Sequence, residues 1–386
     1  MVTVILLLAT IGFSYLLNGI LLRYSRGFGV TSRQNLGQER WASTRKPTTG
    51  GISFFITFLV GFLIVTNAFP DDNLPQSRYL ALIISSILAF LIGFFDDAYG
   101  THPRVKFMGQ LVCAAVLIFF DVHIRFFAVW SPYLLPLDYL LTAFWVVGIM
   151  NSLNMLDNMD GVTTTVALSI TVVSMLMLVL REGLNNVFFI LAATSGGFIG
   201  FMFWNWKPAK IYMGDTGSMF IGMLLAYLGI VYFWNIHATP DNISHVRKGL
   251  VPLLVFLMPI MDTTFVTVAR IARGVSPFQG GKDHLTHNLV RLGVVEQMVP
   301  VAFGVITLIS GGLAVFVYFL IPEWTAFYSV LFALYPIIVF ALFSALYRRG
   351  TRIGKLRDLQ KKREEARQVI EPESSPSEVS GSPATS

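Results

Sequence analysis

Residues 79–97 read YLALIISSILAFLIGFFDD, seventeen uncharged and mostly apolar residues that run into two adjacent aspartates. Such a run approaches the ~20 residues an α-helix needs to cross the hydrocarbon of a bilayer. Ten further segments share this character, so that apolar stretches fall at about 2–22, 52–67, 79–95, 108–128, 137–153, 162–180, 186–203, 213–233, 250–269, 298–320 and 327–347. Segments two and seven are the short ones. The first lacks the basic flank and small-residue cleavage site of a signal peptide and reads as a retained span.

Composition supports the same reading. Of 386 residues, 54% are hydrophobic and 13% charged, with a mean hydropathy of +0.66. Soluble domains carry roughly a quarter charged residues, so this chain lacks the polar surface that water demands, while lipid around a helical bundle removes the demand. The expected fold is an all-α polytopic membrane protein of about eleven transmembrane helices. Residues 1–347 form the transmembrane domain, and residues 348–386 form a tail that is basic at first, then rich in Pro, Ser and Glu and partly disordered. The lone Cys113 excludes a disulfide framework.

The net charge of +6 is spread over short connections rather than gathered in a stripe, which argues against nucleic acid and for a topology signal. With the N-terminus outside, the connections and tail on the inner side hold 23 Lys and Arg, against 5 on the other side (Arg78, Arg125, Arg181, Arg247 and Lys248). The bias predicts a periplasmic N-terminus, a cytoplasmic C-terminus and residence in a bacterial inner membrane. The basic part of the tail, Arg348–Arg367, is expected as a helix near anionic lipid.

The polar clusters all fall on the side assigned as cytoplasmic. Asp96 and Asp97 end the third segment, where two like charges need a cation or a basic group beside them. The fifth leads into Asn151-Ser-Leu-Asn154-Met-Leu-Asp157-Asn158-Met-Asp160-Gly161. Its three-residue spacing sets neighbouring polar groups together, but the face drifts by about 180° over the series, and Gly161 marks a break. The amides of Asn151 and Asn154 suit phosphate or a base edge, and the aspartates suit a metal or a ribose. The eighth segment begins Gly214-Asp215-Thr216-Gly217-Ser218, where amides at a helix start can face phosphate oxygens and Asp215 either caps the helix or holds magnesium. After the ninth come Asp262, Arg270, Arg273 and Gly280-Gly281-Lys282-Asp283-His284-Leu-Thr-His287-Asn288. The histidines beside these cations suit diphosphate contact or acid–base work better than zinc. Asp262 is either functional or paired with one of the arginines. Lys46, before Pro47-Thr-Thr-Gly50-Gly51, is available to a phosphate.

Asp96–Asp97, Asn151–Gly161, Gly214–Ser218 and Asp283–Asn288, taken together and in this order, resemble the polyprenyl-phosphate N-acetylhexosamine-1-phosphate transferase family (glycosyltransferase family 4). The resemblance implies transfer of a sugar 1-phosphate from a UDP-sugar, above all UDP-N-acetylglucosamine, to undecaprenyl phosphate, with release of UMP. It implies Mg2+ as cofactor, with Mn2+ as a substitute, and membrane lipids as surroundings; a homodimer is left open. By this resemblance Asp96, Asp97, Asp157, Asp160, His284 and His287 are catalytic, and Asp215 and Asp97 bind metal. Together with the reading of the residues themselves, it leaves Lys46, Lys106, Asn151, Asn154, Asp262, Arg270, Arg273 and Lys282 as the expected substrate contacts. The expected step is direct attack of the lipid phosphate on the β-phosphorus of the donor. Two departures stand out. The peptidoglycan branch, which transfers phospho-N-acetylmuramoyl-pentapeptide, has three consecutive histidines where this chain has His284-Leu-Thr-His287, and Asn158 stands where the family commonly has Gly. An ion-coupled transporter, the competing class, would place its acidic groups near the midplane instead of at one face.

Overall fold

The computed structural model describes residues 1–28, 46–68, 75–235, 245–276, 281, 283–321 and 323–370. Apolar runs must satisfy their backbone internally when they leave water, so these residues form helices. They are α1 (Val2–Phe28), α2 (Gly50–Ala68), α3 (Gln76–Tyr99), α4 (Pro103–Phe119), α5 (Leu135–Leu156), α6 (Val162–Glu182), α7 (Asn186–Asn205), α8 (Gly214–Leu228), α9 (His245–Val255), α10 (Leu257–Ile271), α11 (Leu285–Arg291), α12 (Met298–Phe319) and α13 (Ala326–Ile370). Among the described residues nine helices are long and apolar enough to span a bilayer, and ten if the bent pair α9–α10 is one span. Segments two and seven form full-length spans of 19 and 20 residues.

Two expected spans differ from the sequence reading. The fourth, expected over 108–128, is a 17-residue helix that stops at Phe119. The apolar residues beyond it are held as a loop by a distant carboxylate. Asp138 is fully buried and accepts the amides of Phe126, Phe127 and Ala128 at 3.0, 2.7 and 3.0 Å. Those groups need no helix once Asp138 satisfies them. The ninth segment breaks at Phe256 and turns by 84°. Pro252 and Pro259 flank the break and remove two amides from the helical ladder. The carbonyl of Pro259 is taken up by the Ser152 hydroxyl at 2.7 Å.

Hydropathy alone does not separate central from peripheral helices; packing does. The span that opens with α8 is 94% buried within the bundle, whereas that of α13 is 11% buried and that of α1 17%. α2, α3, α5 and α6 surround α8, α1 lies on α7, and α12 packs on α6 and α9. Aromatic rings fill the space between α2, α3, α7 and α8. Phe55 stacks on Phe90 with centroids 3.9 Å apart, and Phe54, Phe58 and Phe220 meet at 5.1–6.1 Å. Between helices in lipid, polar contacts add to packing, as where Ser14 donates to the Gly197 carbonyl at 2.8 Å and Asn18 to the Ser53 hydroxyl at 2.6 Å. α13 continues without interruption past residue 347, so the basic stretch extends the last span, and it packs against α11.

The contact that positions the site is the close approach of α3 to the start of α8. A side chain at Gly93 would collide with the backbone of Asp215 and Thr216. Gly93→Val is therefore expected to destabilise the protein by about 1–3 kcal/mol through overpacking. Gly148→Ala, which meets open space, is the comparison and should leave stability unchanged or slightly raised. Melting temperatures of the two variants in detergent check this; equal values would show that the α3–α8 contact tolerates a side chain.

Candidate active site

Four helix ends converge: the C-terminal ends of α3 and α5 and the N-terminal ends of α4 and α8. Each chain segment turns there for a local reason. Gly100, left-handed at φ 67°, ends α3, and Pro103 starts α4 in the first-turn position that suits proline. α5 ends at Leu156, and Gly161, also left-handed at φ 78°, precedes α6. Gly214 at φ 72° opens α8, and a side chain there would strike the Asp97 carboxylate.

Asp97 binds the start of α8. Its Oδ1 accepts the Asp215 amide at 3.0 Å, and its Oδ2 accepts the amide and hydroxyl of Thr216 at 2.8 and 2.6 Å. The first amides of a helix lack internal partners and carry its positive end, so an anion from another helix is a strong cap. The amides expected to face phosphate are thus occupied by Asp97, and Asp215 is not the cap. Asp215 turns the other way, where its Oδ2 meets Lys106 Nζ at 2.5 Å and its Oδ1 accepts the Asn154 amide at 2.8 Å. Lys106 also reaches Asp96 Oδ2 at 3.1 Å and Asn154 Oδ1 at 3.5 Å. Asp96 is held further by the amide of Thr101 at 2.9 Å and by its hydroxyl.

Lys106 is thus the hub between two carboxylates carried by different helices. The side chain of Asp215 remains 30% exposed, against 14% for Lys106 and 15% for Asp96, which makes Asp215 the most reachable of the three. Three carboxylates with one ammonium leave a formal excess of two negative charges, partly offset by the positive end of α8. Hard oxygens with such an excess fit magnesium, which takes one or two carboxylates and completes its shell with water and phosphate oxygens. Both expected ligands have their oxygens engaged, Asp97 by the start of α8 and Asp215 by Lys106 and Asn154, and the partners of Asp215 are all side chains. Among the described residues no three His, Cys, Asp or Glu side chains are grouped as a metal cage.

A second cluster lies on α10, on the chain that follows it and at the start of α11. Asp262 pairs with neither arginine. Its oxygens take His284 Nδ1 and the Leu285 amide, both at 2.8 Å. The carboxylate orients the ring so that Nδ1 donates and Nε2 is left as the other nitrogen. Arg270 instead grips Asp283 through two bonds at 3.1 and 2.8 Å, and Arg273 joins at 2.5 Å. These guanidinium bonds hold the Asp283 carboxyl down at about 2 against the cost of its burial. His284 and His287 lie with ring centroids 6.1 Å apart.

Other expected residues are placed apart. Asn151 exchanges amide bonds with Gln110 at 2.8 and 3.2 Å and donates to the Val147 carbonyl. Asp160, beyond the end of α5, accepts the Ala209 amide at 3.0 Å and lies 3.8 Å from Lys207. Asp157 caps the end of α5. Lys46 sits over the Tyr212 ring at 5.2 Å, beside a backbone bond from the Tyr212 amide to the Pro47 carbonyl. Lys282 lies outside the described residues. Sequence reasoning passed over Thr101, Gln110, Ser218 and Thr286; Gln110 could have been found, because it follows Lys106 by one helical turn.

Known proteins share this chain's pattern. Residues 79–233, which carry Asp96, Asp97, Lys106, Asn154 and Asp215, match the glycosyl transferase family 4 profile. A phospho-N-acetylmuramoyl-pentapeptide-transferase of Desulforamulus reducens is 32% identical over 65% of this chain and 77% of its own length. The chain belongs to glycosyl transferase family 4. Another relative is a probable undecaprenyl-phosphate N-acetylglucosaminyl 1-phosphate transferase of Bacillus subtilis, 29% identical over 65% of this chain and 68% of its own. An undecaprenyl-phosphate alpha-N-acetylglucosaminyl 1-phosphate transferase of Yersinia pestis is 27% identical over 80% and 82%. Within this family member both clusters adjoin the segment 154–160, since Asn154 touches Asp215 and Asn158 touches Thr286.

Burial, and then the neighbouring His284, push the His287 imidazole down to about 4. An unfolded histidine titrates near 6.5, so between those values the unfolded chain binds more protons than the folded one. The stability that neutral His287 contributes is therefore complete above about pH 6.5 and is lost as pH falls towards 4. The melting temperature in detergent should drop over that window and drop less in His287→Gln. Equal acid sensitivity in both proteins would contradict the assignment.

Proposed function

We propose that this protein transfers N-acetylhexosamine 1-phosphate, with N-acetylglucosamine as the favoured sugar, from a UDP-sugar to undecaprenyl phosphate. UMP leaves and a lipid-linked diphosphate sugar forms, the first step of a cell-envelope glycan. The carrying observation is Lys106 between Asp96 and Asp215, at the end of a bundle whose helices can hold a polyprenyl chain in lipid. The Lys and Arg bias supports a cytoplasmic position for that end, at the inner membrane.

Both substrates are anions, so the site must first offset their repulsion. Lys106 supplies one positive charge where a lipid phosphate can exchange for a carboxylate. Asp96, fixed by Thr101, orients the attacking oxygen and takes its proton when the phosphate arrives protonated. The oxygen forms a bond to the β-phosphorus of the donor, and the bond from that phosphorus to the bridging oxygen breaks, with its electron pair leaving on UMP. Asp215 would hold Mg2+, which neutralises diphosphate charge and stabilises the leaving phosphate. Asp97 keeps Asp215 aimed by fixing the first turn of α8. His284, oriented by Asp262, and the Arg270–Arg273 pair supply the cationic side of the donor diphosphate. The His284-Leu-Thr-His287 segment supports the N-acetylglucosamine donor over the muramoyl-pentapeptide donor that the Desulforamulus reducens relative's name implies for that protein.

Purified protein with undecaprenyl phosphate, Mg2+ and separate UDP-sugars, including the muramoyl-pentapeptide form, should release UMP with UDP-N-acetylglucosamine or a close N-acetylhexosamine analogue. Absence of UMP with every donor sinks the proposal. Asp215→Asn should lower kcat by about 100-fold or more, on the scale seen when a transition-state stabiliser is lost. Near-native turnover at limiting Mg2+ would remove Asp215 from the metal role.

A further inference from the structure

Asn158 and Thr286, 128 residues apart, are partners. The Thr286 hydroxyl donates to Asn158 Oδ1 at 2.5 Å, while Asn158 Nδ2 donates to the Met155 carbonyl at 2.9 Å. The second bond fixes which way the amide faces, so the oxygen is presented to Thr286. Asn158 stands between Asp157 and Asp160, and Thr286 stands between His284 and His287. One bond thus joins the turn of Asp157 and Asp160 to the segment of His284 and His287. Thr286 is fully buried, so a lost partner there is not replaced by water at no cost.

The element that carries the histidines has little order of its own. α11 has seven residues, too few for an isolated helix to persist, so its position is set by what grips it. On one side Asn288 takes hydrogen bonds from Thr351 and Arg291 at 3.2 Å, and Gly350 of α13 lies directly beneath it. Asp262 holds the start of the helix through His284 and the Leu285 amide. Thr286 faces the end of α5, and its bond to Asn158 ties the histidines to the segment that carries Asn154 and Asp157.

We propose that the Asn158–Thr286 bond is a positioning clasp that sets the spacing between the histidine helix and the α5 carboxylate turn, and with it the hold on the nucleotide-sugar donor. This rests on the transferase reading above. A donor diphosphate must reach across both clusters, whereas the lipid phosphate is met by Asp96 and Lys106 on α3 and α4, which the clasp does not touch. Neither partner titrates in the physiological range, so the clasp keeps its geometry while nearby protons move.

The test uses the full-length protein with Thr286→Val, which keeps the branched shape and removes the donor, Asn158→Ala, which removes the acceptor, and the double variant. Loss of one buried hydrogen bond corresponds to a change of about three- to tenfold. Each single variant should raise KM for the UDP-sugar by that factor and leave KM for undecaprenyl phosphate within about twofold. The double variant should be no worse than the poorer single one, and Thr286→Ser should recover most of the loss. Hydrogen exchange over residues 284–292 gives a readout without turnover: it should quicken in T286V and N158A but not in T286S. Unchanged exchange, equal shifts in both KM values, or multiplying effects in the double variant would overturn the clasp. Failure of the native protein to release UMP would instead overturn the transferase reading, and the exchange measurement would still decide the clasp.

Discussion

The Asp97 carboxylate at the first turn of α8 is the contact on which the site depends. Its oxygens accept two amides and a hydroxyl from Asp215 and Thr216, 118 and 119 residues along the chain. This satisfies backbone groups that would be costly to leave bare at the end of a buried helix. It also frees Asp215 from capping its own helix, so that its carboxylate can face Lys106 and Asn154. Gly93 and Gly214 make the approach possible, since a side chain at either would collide with the partner element. The position of the Asp215 carboxylate is thus set by a residue on another helix.

Charge then organises the rest. Lys106 lies between Asp96 and Asp215, and the arginines of the second cluster are gathered by Asp283. The first cluster keeps its charged groups paired while leaving a formal negative excess, whereas in the second Asp262 and Asp283 balance Arg270 and Arg273. The segment 154–160, the end of α5 and the turn after it, lies between the two clusters and contributes a side chain to each, Asn154 and Asn158.

The spans were legible because lipid is an unforgiving solvent: apolar runs such as 79–95 and 298–320 have no other stable form there. What stayed hidden depends on partners far away in sequence. The apolar run through residue 128 gives no sign that Asp138 will hold its second half as a loop. Residues 250–269 read as one span, although two prolines and the capture of the Pro259 carbonyl by Ser152 bend the chain. In the site, the pattern of Asp96, Asp97, Asn154 and Asp215 was legible, but not its division of labour. Asp97 as cap, Lys106 as hub and Asp262 as partner of His284 follow from packing that no spacing rule encodes. Thr286 escaped notice because a threonine between two histidines carries no chemical signal until its partner is seen.

The most direct measurement of the central claim is the fate of the donor's β-phosphorus. With UDP-N-acetylglucosamine labelled with 32P at the β position, transfer of the sugar 1-phosphate predicts that the label passes to the lipid product and that the released UMP is unlabelled. Label retained in released UDP would mean that the sugar moves without its phosphate, and would contradict the account.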